Sequence, residues 1–151
     1  MDLGDGMMAK MEIRGIDEYS DQISKLGKKA VEISGKVVMA GADPVADAIR
    51  GELEKNLQGS EYSKGDLLDS FGIAPPGVDS QGNTNTKIGF EGYDREGTPN
   101  ALKARAMESG TSTQKKRPFV RPAVNRVKAR AIDAMGKTLE KEIKIYALKG
   151  K

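Results

Sequence analysis

Apolar residues recur at helical spacing along two long stretches of the chain. They return every three or four positions over residues 30–57 and again over residues 119–148. This spacing places one apolar face along an α-helix. The first stretch is interrupted at Pro44, which predicts either one long helix with a kink or two helices in succession, the second capped by Asp43. In either case the pattern predicts a core helix.

The second stretch is amphipathic throughout. Its apolar positions are Val120, Val124, Val127, Ala131, Met135, Leu139, Ile143 and Tyr146, and its opposite face carries Arg126, Arg130, Lys137, Lys141 and Lys144. A basic face of this kind is usually solvated, and the alternatives are contact with nucleic-acid phosphates or with an acidic protein surface. No aromatic residue lies among the cations to stack on bases, so sequence-specific binding of nucleic acid is not expected.

Alternating apolar and polar residues predict a small sheet. Residues 11–14 are typical of a short half-buried strand. Residues 66–73 place Leu67, Phe71 and Ile73 inward and lead into a second strand, and residues 86–91 alternate as its antiparallel partner.

Two shorter helices complete the expected architecture, one over residues 16–26 and one over residues 101–109, where an extended form is the alternative. The sequence therefore predicts an α+β fold, in which a small antiparallel sheet packs against a kinked helix and a long C-terminal helix. The length of 151 residues suits one domain. Residues 1–10 are expected to form a flexible N-terminal tail, and residues 11–151 the single domain.

Composition limits the chemistry that the chain can perform. It contains no Cys and no His, which excludes zinc fingers, thiolate redox chemistry and nucleophilic sites of the Ser–His or Cys–His kind. Two groups of carboxylates could in principle hold magnesium, namely Asp66 with Asp69, and Glu91 with Asp94 and Glu96. Both lie among turn-forming residues, where Asp is expected for local hydrogen bonding. We therefore expect no enzyme activity, no cofactor and no metal.

Charge is distributed unevenly along the chain. Residues 114–151 carry 12 Lys and Arg against 3 acidic residues, a net charge of +9, whereas residues 1–113 carry 13 against 19, a net charge of −6. Such a chain can pair with copies of itself or present one basic face to a polyanion. No apolar run is long enough to span a bilayer, and residues 1–10 lack the apolar centre of a signal peptide. We therefore expect a protein that is made and kept in a cytosol-like compartment, or assembled from one, without membrane contact.

Residues 115–122 (KKRPFVRP) join the polar middle of the chain to the second long helix. Their plainest interpretation is a helix start, with Pro118 in or near the first turn and Phe119 buried. The functional interpretation adds that Arg117 and Arg121 face outward and bind carboxylates of a neighbouring subunit, for which the planar guanidinium is well suited. The segment is then a stiff, basic docking element.

Three groups of segments occur in a characteristic order. They are residues 13–18 (IRGIDE) with 25–28 (KLGK), residues 42–45 (ADPV) with 65–71 (GDLLDSF), and residues 108–112 (ESGTS) with 117–123 (RPFVRPA). This combination resembles the tail-component family of long-tailed bacteriophages. The third group is the most specific. The chain departs from the family at residues 100–107 (NALKARAM), where an aromatic extended run is usual, and at residues 60–64, where a proline is usual.

The resemblance implies a structural virion protein of the phage neck, a minor tail protein that acts in head–tail joining or tail completion as a subunit of a homo-oligomeric ring. It implies subunit-interface roles for Glu108, Gly110, Arg117, Phe119 and Arg121, and structural roles for Pro44, Pro118 and Pro122. The expected partners are copies of the chain, the connector or stopper protein and the tail-tube or tail-terminator protein, with non-specific contact to DNA in the channel. The expected location is the virion, after assembly in the host cytoplasm. The alternatives are a tail terminator that caps the tube and a basic nucleic-acid-binding protein.

Overall fold

A computed structural model of the chain describes residues 7–12, 29–58 and 66–149. Within these ranges the chain has the predicted α+β architecture. In chain order its elements are β1 (Met7–Glu12), α1 (Lys29–Leu57), α2 (Asp66–Asp69), β2 (Phe71–Ile73), β3 (Gly77–Val78), β4 (Thr84–Phe90), α3 (Asn100–Ser109) and α4 (Val120–Lys149).

Strand β4 is the centre of an antiparallel sheet. On one side it pairs with β1, from Met7 opposite Gly89 to Glu12 opposite Asn85. On the other side it pairs first with β2 and then with β3. Between these two short strands the backbone N–H of Ala74 donates to the carbonyl of Lys87 at 2.8 Å, and the hydroxyl of Thr86 donates to the carbonyl of Ala74. The antiparallel pairing of β2 with β4 confirms the pairing predicted from the alternating patterns.

Helix α1 is one continuous element that passes through Pro44. Proline has no N–H, so the carbonyl of Ala40 receives no helical hydrogen bond at this point, and the ring also crowds that carbonyl. Apolar residues on both sides of the proline are buried, with Ala42 fully inaccessible and Val45 nearly so. Burial of apolar surface on this scale offsets the cost of an interior proline. Of the two predicted alternatives the structure has the single helix, and Asp43 lies inside it rather than at a cap.

Helices α1 and α4 run antiparallel and enclose most of the core. A main cluster joins the second half of α1, the sheet, α3 and the first half of α4, and includes Ile49, Leu53, Phe90 and Val127. A second cluster joins the first half of α1 to the second half of α4, where Leu139 packs among valines and isoleucine. The apolar spacing in the sequence thus identified the buried faces of both helices.

Three phenylalanines link the layers of the main cluster. The rings of Phe71 and Phe90 lie 5.2 Å apart on neighbouring strands. The ring of Phe90 meets that of Phe119 edge to face at 6.1 Å, and Phe119 is fully buried just before α4. Offset and edge-to-face contacts of this kind add to the burial energy of the rings. The start of α4 is therefore fixed against the sheet.

The observed boundaries differ from the predicted ones at the N-terminal end. Strand β1 begins at Met7, so residues 7–10, which were expected in a flexible tail, lie in the sheet. The alternating pattern at 11–14 marked only the end of this strand. The predicted helix over residues 16–26 and most of the loop at 58–65 lie outside the described residues. Residues 101–109 are helical, as their propensity indicated, and the extended alternative does not apply.

Candidate interaction surface at the start of the C-terminal helix

The carboxylate of Glu108 caps the start of α4. One oxygen accepts the backbone N–H groups of Phe119 at 2.7 Å and Val120 at 2.9 Å, and the other accepts that of Arg121 at 3.1 Å. The first N–H groups of a helix have no partner within the helix. A negative charge near that end also interacts favourably with the positive pole of the helix dipole. Glu108 thus satisfies both requirements with one side chain.

Pro122 completes this arrangement. It has no N–H, so it leaves no donor unsatisfied at the third position of α4. The next N–H group, that of Ala123, donates to the carbonyl of Phe119 at 3.4 Å. Every backbone N–H from Phe119 to Ala123 therefore has a partner. Glu108 accepts the first three, and Pro122 contributes no N–H that would need one. Pro118 was expected in or near the first turn of this helix, and it lies two residues before the helix begins. The proline inside the first turn is Pro122.

Arg117 is held by its own chain. Its guanidinium Nη1 donates to the carbonyl oxygen of Asn56 at 2.8 Å, and its backbone N–H donates to the carbonyl of Met107 at 2.7 Å. The side-chain amide of Asn56 donates in return to the carbonyl of Arg117 at 2.8 Å. Asn56 lies in the last turn of α1, where carbonyls lack helical partners and a cation is favoured. Arg117 was expected to face outward; it is half-buried, and its guanidinium is hydrogen-bonded to the end of α1. Its contact with a neighbouring subunit stays a prediction.

The loop between α3 and α4 turns at Gly110. This residue has φ of 77°, and its N–H donates to the carbonyl of Ala106 at 2.8 Å, which closes the end of α3. A Cβ at this position would lie 3.0 Å from the backbone nitrogen of Lys116. The hydroxyl of Thr111 then accepts from the backbone N–H of Gln114 at 3.0 Å. Gly110 is required here both by its backbone conformation and by the close approach of the chain.

Four of the five interface candidates therefore have roles inside the chain. Glu108 caps a helix, Gly110 forms a turn, Arg117 binds the end of α1 and Phe119 lies in the core. Arg121 differs from them, since only its backbone N–H is used and the residue is exposed. Its proposed contact with a neighbouring subunit stays a prediction.

Two of the carboxylates considered for magnesium form hydrogen bonds and ion pairs within the chain. Asp66 accepts from Nε of Arg95 at 3.0 Å. Asp94 accepts from the backbone N–H of Thr98 at 2.8 Å and pairs with Nζ of Lys103 at 2.9 Å. The hydrogen bond from Lys103, together with those from the backbone, lowers the pKa of Asp94 from its ordinary value. Within the described ranges, no three acidic side chains come close enough together to hold a metal ion.

The basic face of α4 is partly neutralised by the chain itself. Arg126 binds the carboxylate of Glu52 on α1 at 2.5 Å, and this hydrogen bond lowers the pKa of Glu52. Lys137 pairs with Asp133 one turn away at 3.0 Å. The exposed side chains of Arg130, Lys141 and Lys144 have no ion-pair partner within the described part of the chain.

An apolar groove opens beside the first half of α1. It has a volume of about 460 Å³ and is lined by Val31 and Met39 of α1 and by Pro76 and Val78 near β3. Val31 and Val78 are exposed over half or more of their surface. Two charged residues that line it, Glu32 and Lys36, form an ion pair with one another at 3.7 Å. The groove is therefore an exposed, mainly apolar surface.

Sequence reasoning missed Asn56 and the capping role of Glu108. Asn56 lies in the last turn of α1, in the sequence Lys-Asn-Leu. Nothing in this local sequence indicates that the side chain of Asn56 binds a residue 61 positions away. Glu108 lies in the segment 108–112, which is part of the resemblance. Its position 11–13 residues before its donors places it outside the local capping patterns that a sequence reveals.

Comparisons of the chain with protein-family models, with curated proteins and with solved structures give no match. Among the described helices, none combines the length and the apolar character needed to cross a membrane.

Proposed function

We propose that the chain is a structural subunit of the neck of a long-tailed bacteriophage, where it joins the capsid connector to the tail as one member of a ring. The observation that carries the proposal is the unit formed by residues 108–123, which bears the most specific part of the sequence resemblance. Glu108, Gly110 and Pro122 each meet a physical requirement of this unit. The segment is therefore a determinant of the fold and not a coincidence of composition.

The distribution of polar groups favours a structural role over a catalytic one. Two of the carboxylates considered for a magnesium site are engaged within the chain: Asp66 binds Arg95, and Asp94 binds Lys103 and the backbone N–H of Thr98. The exposed features of the described chain are instead charged helix faces and an apolar groove. Surfaces of this kind are used in contacts between proteins.

Deletion of the gene from the phage genome that encodes it tests the proposal. We expect filled heads and tails of normal length that remain unjoined in electron micrographs, and particles restored when the protein is supplied from a plasmid. Tails of irregular length would instead support the tail-terminator alternative. Intact, infectious particles from the deletion mutant would overturn the proposal.

A further inference from the structure

Two exposed stripes of opposite charge lie on the long helices. The acidic stripe consists of Asp43, Asp47 and Glu54 on α1, and all three residues are exposed. At about 100° of rotation per residue, the three positions lie within a sector of about 40° around the helix axis. No hydrogen bond or ion pair engages their carboxylates within the described part of the chain. Arg50 lies on the same side of α1, but its guanidinium donates to the carbonyl of Phe71 at 3.3 Å and lies over the ring of that residue. The three exposed carboxylates therefore form an acidic surface that favours a cationic partner.

The basic stripe lies on α4 and consists of Arg130, Lys137 and Lys141, again all exposed. These residues also fall within about 40° of one line. Lys137 has Asp133 as a neighbour, in a pair whose two side chains are both more than half exposed. Solvent-exposed pairs of this kind are weak, so Lys137 remains able to exchange its partner.

The two stripes have the same spacing in opposite directions. The acidic residues are separated by four and then seven positions, and the basic residues by seven and then four. Both stripes therefore extend about 16 Å along their helices. When the two helices lie antiparallel, Asp43 faces Lys141, Asp47 faces Lys137 and Glu54 faces Arg130, all in one register.

These pairs do not form inside one chain. There, α1 and α4 pack through their apolar faces, and the pairs of Glu52 with Arg126 and of Lys36 with Glu142 fix a different register. In that register the residues matched above are offset by about 9 Å along the helix axes. The matching surfaces can therefore meet only between two copies of the chain.

We infer that the acidic stripe of α1 in one copy binds the basic stripe of α4 in the next copy. The inference rests on the proposed ring and names the contact that builds it. Because the two surfaces differ, the contact is head to tail, and repeated contacts of this kind close into a ring when the rotation permits. Exposed ion pairs are individually weak, so the contact gains strength from its repetition around the ring and is sensitive to salt.

An exposed leucine extends the basic stripe. Leu148 is 82% exposed and follows Lys144 by one helical turn. It lies on the same side of α4 as Lys141, since positions separated by seven residues recur on one face. The side chain adds apolar area at the end of the proposed contact, where a purely ionic surface would have little affinity.

Exchange of the charges between two variants tests the contact. Variant one carries Asp43→Lys and Glu54→Lys, and variant two carries Arg130→Glu and Lys141→Glu. Each variant alone should self-associate at least about tenfold more weakly than the wild type in mass photometry at low salt, because like charges then face one another. An equal mixture should assemble again, since each reversed stripe meets a stripe of opposite charge in the other variant.

Matched controls reverse exposed charges that lie off the stripes. Asp69→Lys with Glu91→Lys, and Arg105→Glu with Lys128→Glu, should assemble as the wild type does. Circular dichroism of each variant shows whether it is folded, and recovery in the mixture shows that loss of assembly is not loss of folding.

Three results would overturn the inference. They are normal assembly of both charge variants alone, no recovery in their mixture, and a wild type that stays monomeric at every protein concentration. The first two leave the ring and the neck role in place, because the wild type still assembles. The gene deletion described above tests the neck role independently of all three.

Discussion

Asn56 and Arg117 exchange two hydrogen bonds between segments that are 61 residues apart. The amide of Asn56 donates to the carbonyl of Arg117 at 2.8 Å, and the guanidinium of Arg117 donates to the carbonyl of Asn56 at the same distance. The end of α1 is thereby joined to the segment that leads into α4. The basic segment 115–122 is thus anchored to its own domain before it meets any partner.

Replacement of Arg117 by Ala should lower the free energy of unfolding by about 1–3 kcal/mol, because it leaves the carbonyl of Asn56 without its donor. Urea unfolding followed by circular dichroism measures the change. Arg121→Ala is the matched control and should change the free energy by less than about 0.5 kcal/mol, since its side chain is exposed. Equal effects of the two substitutions would contradict the structural role of Arg117.

Replacement of Glu108 by Ala should also destabilise the fold, by about 1–3 kcal/mol, because three backbone N–H groups lose their acceptor. Glu108→Gln keeps one carbonyl oxygen at the same place and should have a smaller effect. Glu140→Ala, at an exposed position of α4, serves as the control. A stability of Glu108→Ala equal to that of the control would show that the cap contributes nothing.

Two glycine substitutions should have opposite signs. Gly110→Ala should cost more than about 1 kcal/mol, because φ of 77° disfavours a side chain and the new Cβ would meet the backbone of Lys116. Gly136→Ala lies within α4 with open space around its Cβ and should stabilise the protein by about 0.5–1 kcal/mol. Thermal unfolding of both variants measures the difference, and an increase in melting temperature for Gly110→Ala would refute the argument.

The ion pair of Asp94 and Lys103 should make stability depend on pH. The pKa of Asp94 is lowered in the folded protein, chiefly by the hydrogen bond from Lys103. Its contribution to stability is therefore complete above the ordinary aspartate pKa and is lost as the pH falls through the lowered folded value. Asp94→Asn should unfold at lower urea concentration than the wild type at pH 7, and this difference should shrink towards pH 2. A constant difference over that range would contradict the assignment.

Reversal of charge at Arg121 separates assembly from folding. Arg121→Glu should leave the monomer folded, because the fold uses only the backbone N–H of this residue. If its guanidinium binds a carboxylate of the neighbouring subunit, the variant should form no rings in electron micrographs. Normal rings would remove Arg121 from the interface, and with it the last of the interface candidates that lacks a role within the chain.

Local patterns predicted most of the fold. The apolar periodicity of α1 and α4 depends on residues three and four positions apart, so it is visible in the sequence, and both helices lie where it indicated. The alternation around Phe71 and Ile88 likewise identified two paired strands. The first residues of β1 were missed because Met7 and Met8 are both apolar and interrupt the alternation.

The site was less predictable, because its contacts join distant segments. Phe119 was correctly expected to be buried, since it begins an apolar stripe. The orientation of Arg117 depends on a carbonyl of α1, and the role of Glu108 depends on how α3 is placed relative to α4. Neither relationship has a periodicity, so both follow from tertiary structure alone.

The separation of α1 from α4 also affects how the chain folds. Residues 58–119 are synthesised after α1 and before α4, which is the main packing partner of α1. During that interval Val38, Ile49 and Leu53, which are inaccessible in the folded protein, have only part of their final environment. Contacts between such distant segments slow folding and leave apolar surface open to aggregation. In the nascent chain the apolar face of α1 should therefore stay incompletely covered until α4 has emerged from the ribosome.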